Sequence, residues 1–128
     1  MDAVILGRPY PMAYTVAAQS KLADRFGGIE NIQTAFEAKG VDELMDNMAF
    51  MAAVLIQAAA ERERVRCKIM GADAPDMQIL AADEIKAAVQ PYELKDVVAC
   101  IMKTIQEGNA ITVEVVPDQK KRKATPSK

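Results

Sequence analysis

The chain has 128 residues, a length that suits one domain with a single hydrophobic core. Hydrophobic residues make up 51% of it and charged residues 27%, a balance that excludes an intrinsically disordered protein. The 16 basic and 18 acidic side chains give a net charge of −2, and no histidine is present. Because histidine is the commonest general base and metal ligand, the composition disfavours acid–base catalysis and metal binding.

The N-terminal third is predicted to contain one strand and two helices. Residues 3–6 are rich in β-forming side chains, and the prolines of the following segment 7–11 predict a turn. Thr15 is suited to cap a helix that ends at Gly27. A short second helix is then predicted, and it closes at Gly40.

A long third helix is the strongest pattern in the sequence. Apolar residues recur in steps of three and four from Val41 to Ile69, and Gly71 ends the pattern. Such a helix would be roughly 42 Å long, which is more than a small core can cover. Its methionine-rich face therefore has two interpretations. It fills the core, or it is a docking surface, partly open or covered by self-association, that binds a helical partner. The candidate partner-binding residues are Met45, Met48, Met51, Leu55 and Ile56.

The C-terminal part is predicted to add two helices and a strand. Ile85 and Val89 lie on one face of a short helix, and Pro91 opens the next one. Gly108 is predicted to end that helix, and residues 111–116, rich in β-branched side chains, to form a strand. We expect this strand to pair with the N-terminal one. The predicted fold class is therefore mainly α, a single small helical domain with a short strand near each end.

The last eleven residues differ in charge from the rest of the chain. Residues 118–128 carry five basic side chains and one acidic one, a net charge of +4 that leaves −6 on residues 1–117. We therefore predict a helical domain over 1–117 and a disordered basic tail over 118–128. The tail either solubilises the chain, which we favour, or holds nucleic-acid phosphates without reading bases. The candidate phosphate contacts are Lys120, Lys121, Arg122 and Lys123.

Catalytic motifs are missing from the sequence. It contains no phosphate-binding loop, no GxGxxG, no HExxH and no nucleophile elbow. Cys67 and Cys100 are too few for a disulfide framework, and a cysteine nucleophile without histidine is disfavoured. The longest apolar run, residues 48–60, is shorter than the roughly 20 residues that span a bilayer. We therefore expect a cytoplasmic, non-enzymatic protein without cofactor, metal or membrane segment.

A characteristic order of segments extends over most of residues 4–108. It comprises a short strand and turn, a helix with a glycine break, an Ala/Met/Leu-rich helix and three later helical motifs. These segments are 4–12, 14–18, 26–29 and 48–60, followed by Leu80, Glu84-Ile85, Glu93-Leu94 and 104–108. In this order they resemble the phage tail assembly chaperones of long-tailed, siphovirus-like bacteriophages.

The resemblance implies a non-enzymatic role in virion assembly. Such a protein binds the tape measure protein, keeps it soluble and helps to bring it to tail tube subunits. It acts in the host cytoplasm and is absent from the mature virion. One alternative is a small helical regulator or nucleic-acid adaptor that uses the basic tail, and another is a structural component of the virion. Binding to DNA that is lost when residues 118–128 are removed would favour the regulator or adaptor.

Overall fold

The computed structural model describes residues 2–32, 34–37 and 40–114, with the backbone alone over 110–114. In these residues an antiparallel β-hairpin precedes five α-helices, so the predicted class, mainly α with a short N-terminal strand, is confirmed. The elements are β1 (Asp2–Ile5), β2 (Arg8–Pro11), α1 (Val16–Phe26), α2 (Ile29–Ile32), α3 (Val41–Met70), α4 (Ala82–Ala88) and α5 (Leu94–Glu114), with a 3-10 turn over Pro91–Glu93 before α5.

The N-terminal hairpin closes through a two-residue loop. Leu6 and Gly7 both have positive φ angles, 53° and 76°, as a type I′ turn requires. Ile5 and Arg8 form the hydrogen-bonded pair next to the loop, so the following pair, Val4 and Pro9, is a non-hydrogen-bonded one. The Pro9 nitrogen therefore points away from β1, where no N–H group is needed. The turn predicted to follow the first strand is therefore a second strand over most of its length, since its prolines remove no hydrogen bond from the ladder.

The first helix begins and ends as predicted, whereas the second is shorter. The Thr15 hydroxyl accepts a hydrogen bond from the Ala18 amide at 3.1 Å, and Gly27 ends α1 in the left-handed conformation. The described residues that follow α2, 34–37, form turns. In these turns the Ala35 carbonyl accepts a hydrogen bond of 2.8 Å from the side-chain amide of Asn47, a buried residue of α3. This hydrogen bond ties the turns to α3.

The hydrophobic core forms around the first half of α3. Ala3 and Ile5 of β1 are buried in it, and α1, α4, α5 and β2 all pack against α3. The Ala13 amide donates to the Leu55 carbonyl at 3.1 Å, which holds the segment before α1 against α3. The largest fully buried side chains come from all five helices: Leu22, Ile32, Met48, Met51, Leu55, Ile56, Ile85 and Ile101.

Two glutamates fix the starts of the C-terminal helical segments. The Glu84 carboxylate accepts from the Ala81 amide at 2.9 Å, and the Glu93 carboxylate accepts from the Gln90 amide at 2.9 Å. Each glutamate thus reaches back to satisfy an amide that has no partner within its own helix. Pro91 follows as the first residue of the 3-10 turn that leads into α5, as predicted.

The last helix continues beyond its predicted end at Gly108. It extends to Glu114, so the strand predicted over 111–116 is wrong for residues 111–114, and residues 115–116 lie outside the described part. A Cβ atom at position 108 would lie 2.9 Å from the Tyr14 Cβ atom, so this glycine allows close packing instead of ending the helix. Among the described residues β1 pairs with β2, and the predicted pairing of the two chain ends does not form.

Candidate functional site

Most of the predicted partner-binding residues lie in the core. Met48 and Ile56 are 2% exposed, Met51 and Leu55 are fully buried, and Met45 is half-buried. The expectation that this face is open is therefore wrong for four of the five residues. The helical pattern reveals that the face is apolar, but only the tertiary fold reveals that the other elements cover it. Of the two interpretations, core packing describes these side chains.

The second predicted site cannot be placed. The basic cluster Lys120, Lys121, Arg122 and Lys123, and the whole of the predicted tail 118–128, lie outside the described residues. Its role as a phosphate contact stays a prediction.

An open groove runs between α1 and the part of the apolar side of α3 that adjoins the buried methionine face. Its floor is formed by Ala18 of α1 and by Val54 and Ala58 of α3, and it encloses about 310 Å³. Lys21 and Glu61 line its rims, and both side chains are exposed. The small floor residues keep the two helices close without filling the space above them, so the groove remains uncovered.

The helix α1 lies antiparallel to α3 along this groove. At its start Thr15 lines the same end of the groove as Val65. At its other end the Phe26 ring meets the Phe50 ring edge to face, with 6.4 Å between the centroids, and the Arg25 guanidinium lies 4.6 Å from the Phe50 centroid. The aromatic pair packs α1 against α3 beyond one end of the groove, and the Thr15 end lies toward the C-terminal turns of α3.

The groove continues on the other side of Gln57. The segment 72–81, which connects α3 to α4, forms a second wall there with Pro75 and Ile79. Farther toward the start of α3, Leu80 and Phe50 line a third part of the depression. Gln57 borders all three depressions, so they adjoin one another along the middle of α3.

An apolar stripe leads from the groove to the C-terminal end of α3. Val54, Ala58, Val65 and Ile69 are separated by four, seven and four residues, which places them within about 60° around the helix axis. Exposure rises along the stripe from 7% at Val54 to 43% at Val65 and 80% at Ile69. Met70, the last residue of α3, is 66% exposed. The end of α3 thus extends beyond the core with uncovered apolar side chains.

Charged side chains border the stripe. Three of them are exposed: Arg62 on one side, and Glu61 and Lys68 on the other. Glu63 points to the opposite face, where it binds Arg66 in an ion pair. The hydrogen bond from Arg66 lowers the pKa of Glu63, which keeps this carboxylate ionised and engaged with Arg66. The charges that face the stripe are therefore mainly cationic.

The open part of α3 belongs to the same apolar pattern as the buried part. Ala58, Val65 and Ile69 follow the predicted steps of three and four, so periodicity alone cannot separate them from the core methionines. The signal that could separate them is length. A helix of 30 residues is longer than the core of a domain this small, so one of its ends must extend beyond that core.

A metal site and a membrane span are two other features that carboxylates and a long apolar helix can form. Within residues 2–32, 34–37 and 40–114, no group of three His, Cys, Asp or Glu side chains is placed to hold a metal ion. In the same part of the chain, α3 is the one helix long and apolar enough to cross a membrane, but 44% of its most apolar window is buried in the protein. A core helix of a soluble protein passes the same test, so this composition does not identify a membrane span.

Comparison of the chain with protein-family models, with curated proteins and with solved structures gives no match. The function is therefore inferred from the groove and from the order of segments in the sequence. What the groove offers chemically is an apolar floor with a charged border, which is suited to binding another polypeptide.

Proposed function

We propose that this protein is a non-enzymatic tail assembly chaperone of a long-tailed phage. It binds the tape measure protein, keeps it soluble in the host cytoplasm and helps to recruit tail tube subunits, and it is absent from the mature virion. The order of segments over residues 4–108 and the lack of catalytic motifs support this proposal.

The observation that carries the proposal is the uncovered groove and stripe along α3. Large exposed apolar side chains next to an open groove are typical of a surface that binds another protein. Burying Val65 and Ile69 at an interface would contribute roughly 1.5–3 kcal/mol each, before the cost of association. Such an interface gives the modest affinity expected of a chaperone that must later release its partner.

Co-expression with the tape measure protein of the same phage tests the proposal. We expect the full-length chain to keep the tape measure protein in the soluble fraction and to co-purify with it through an affinity tag. The double variant Val65→Glu/Ile69→Glu should lose both effects, because it places two carboxylates on the apolar stripe. The variant Val41→Glu is the matched control, since Val41 is 66% exposed at the opposite end of the same helix.

The outcomes test separately whether the chain has the proposed function and whether the stripe is its binding surface. If the wild-type chain leaves the tape measure protein insoluble and does not co-purify with it, the proposed function is wrong. If the double variant remains folded by circular dichroism and still holds the partner, the function stands and the stripe is not its binding surface. Detection of the chain in purified virions by mass spectrometry would contradict its assignment as a chaperone that leaves the particle.

A further inference from the structure

The groove and the stripe have the dimensions of a binding site for one helix. From Val54 to Ile69 the stripe covers 16 residues of α3, and the 15 steps between its ends correspond to about 22 Å at the rise of an α-helix. A partner helix of four turns would cover it completely. The floor residues Ala18 and Ala58 are small, so the backbone of such a helix could approach closely.

An extended peptide is a poorer occupant of this surface. Binding as an added strand requires a sheet edge with unpaired backbone groups. The groove between α1 and α3 is instead bordered by backbone amides and carbonyls that are engaged within the helices, and the segment 72–81 beside it is not a strand. Recognition must therefore come from side chains, which favours the packing of one helix face against another.

The charges around the site point to the chemistry of the occupant. Lys21 of α1 and Arg62, Arg64 and Lys68 of α3 are all exposed beside the groove or the stripe. The acidic groups that face the same surface are Glu61 on α3, Asp76 on the segment after it and, at the far end of the groove, Glu84. Around the Val54–Ile69 stripe the four cations outnumber Glu61 and Asp76, although the chain as a whole has a net charge of −2.

We infer that the occupant is a single amphipathic helix of a partner protein, about 15 residues long, with acidic residues beside its apolar stripe. The same charges disfavour two other occupants. A second copy would bring Arg62 and Lys68 against their own counterparts. The chain's own segment 118–128, with a net charge of +4, would meet a border of its own sign. This inference rests on the proposed function in one respect, namely that the chain binds a partner protein.

Designed peptides test the inference with the full-length protein. Three fluorescent 18-residue peptides would be used: one with a leucine stripe flanked by glutamate, one with the same stripe flanked by lysine, and one with the glutamate composition but a scrambled stripe. We expect the acidic amphipathic peptide to bind at least tenfold more tightly than either of the others in fluorescence anisotropy. Raising the salt from 50 to 500 mM should weaken that binding.

Variants of the protein locate the binding. Val65→Glu/Ile69→Glu should weaken binding of the acidic peptide at least tenfold, and Val41→Glu should leave it unchanged. The charge-reversal variant Arg62→Glu/Lys68→Glu should prefer the lysine peptide. Equal binding of the acidic and basic peptides, or binding that the stripe variant does not weaken, would overturn the inference.

Other outcomes would assign the groove to a different occupant and so overturn the inference too. A wild-type dimer in sedimentation equilibrium that Val65→Glu/Ile69→Glu converts to monomer would assign it to a second copy. Tighter peptide binding after removal of residues 115–128 would assign it to the chain's own end.

The peptide and co-expression experiments can fail independently. If the acidic peptide binds but the tape measure protein stays insoluble, the inference stands and the proposed function falls. If the tape measure protein is held through the stripe but the acidic peptide does not bind, the function stands and the inferred chemistry of the partner helix is wrong.

Discussion

Gly108 lies so close to Tyr14 that a Cβ atom at position 108 would be 2.9 Å from the Tyr14 Cβ atom and 3.1 Å from its carbonyl oxygen. These are atoms of the backbone or next to it, so they cannot move aside as the tip of a flexible side chain could. The contact joins α5 to the segment between the hairpin and α1. It explains why a glycine stands within a helix that continues to Glu114.

Gly108→Ala should therefore destabilise the protein. In an open helical position this substitution would be stabilising by up to about 1 kcal/mol, because alanine favours helix. Here the added methyl overpacks the contact with Tyr14, which costs typically about 1–3 kcal/mol. Urea denaturation of the variant measures the change, and Gln106→Ala, exposed on the same helix, is the control. A variant more stable than wild type would show that α5 does not pack against Tyr14.

Leu6→Asn should stabilise the hairpin. Leu6 has a φ of 53°, a left-handed conformation that costs a residue such as leucine roughly 1–2 kcal/mol and that asparagine tolerates. The Leu6 side chain is 80% exposed, so its removal sacrifices little burial. The melting temperature of Leu6→Asn should rise, whereas Leu6→Ala, which keeps the unfavourable backbone conformation, should melt close to wild type. Equal melting temperatures for the two variants would mean that the left-handed backbone conformation at this position does not lower the stability of the protein.

The ion pair between Asp46 of α3 and Lys86 of α4 should add a small pH dependence to stability. The hydrogen bond from Lys86 holds the pKa of Asp46 below its ordinary value of 3.8, and the same contact raises the pKa of Lys86. The contribution of Asp46 is therefore complete above its unfolded pKa and is lost as the pH falls through the folded one. That of Lys86 is complete below its unfolded pKa of 10.5 and is lost as the pH rises through the folded one.

Asp46→Asn tests this dependence. Between pH 7 and pH 2.5 the urea midpoint of wild type should fall more than that of the variant, so that the two converge in acid. Both side chains are about half exposed, at 48% and 47%, so the difference is small and 1 M salt should remove most of it. Curves that stay parallel throughout would mean that the pair contributes nothing to stability.

The sequence could predict those features that neighbouring residues decide. Thr15 and Gly27 bound α1 as expected, and Gly71 ends α3 with a φ of 73°, because caps depend on local hydrogen bonds and backbone freedom. The predictions at Pro9 and Gly108 are wrong because each residue is tolerated through a contact with a residue distant in sequence. Pro9 fits in a strand because of the register between β2 and β1, and position 108 requires glycine because Tyr14 lies so close to it.

The candidate site shows the same division between local and long-range information. Periodicity predicts correctly that α3 is long and apolar, but the same steps of three and four describe both Met51 in the core and Ile69 at the free end. What separates them is tertiary packing: Met51 belongs to the buried core cluster, which includes α3 residues only as far as Ala58, and Ile69 lies beyond it. The uncovered groove and stripe thus follow from tertiary packing, which the helical pattern does not contain.

Met48→Glu should unfold or severely destabilise the protein, because Met48 is 2% exposed and has no basic partner in the core that surrounds it. An uncompensated buried charge costs about 3–5 kcal/mol, against a total stability of about 5–15 kcal/mol for a domain. Circular dichroism and urea denaturation measure the loss, and the volume-conserving control Met51→Leu should cost less than about 1.5 kcal/mol.

The pH dependence of Met48→Glu checks that burial is the cause. A buried carboxyl group has a raised pKa, so its protonated form is the one that the core tolerates. The variant should therefore regain part of its stability, relative to wild type, as the pH falls from 7 to 4, since stability is lost as the pH rises through the raised folded pKa. If the side chain instead faced solvent, as the docking interpretation of this face requires, the variant would fold at both pH values and would differ from wild type by the same small amount.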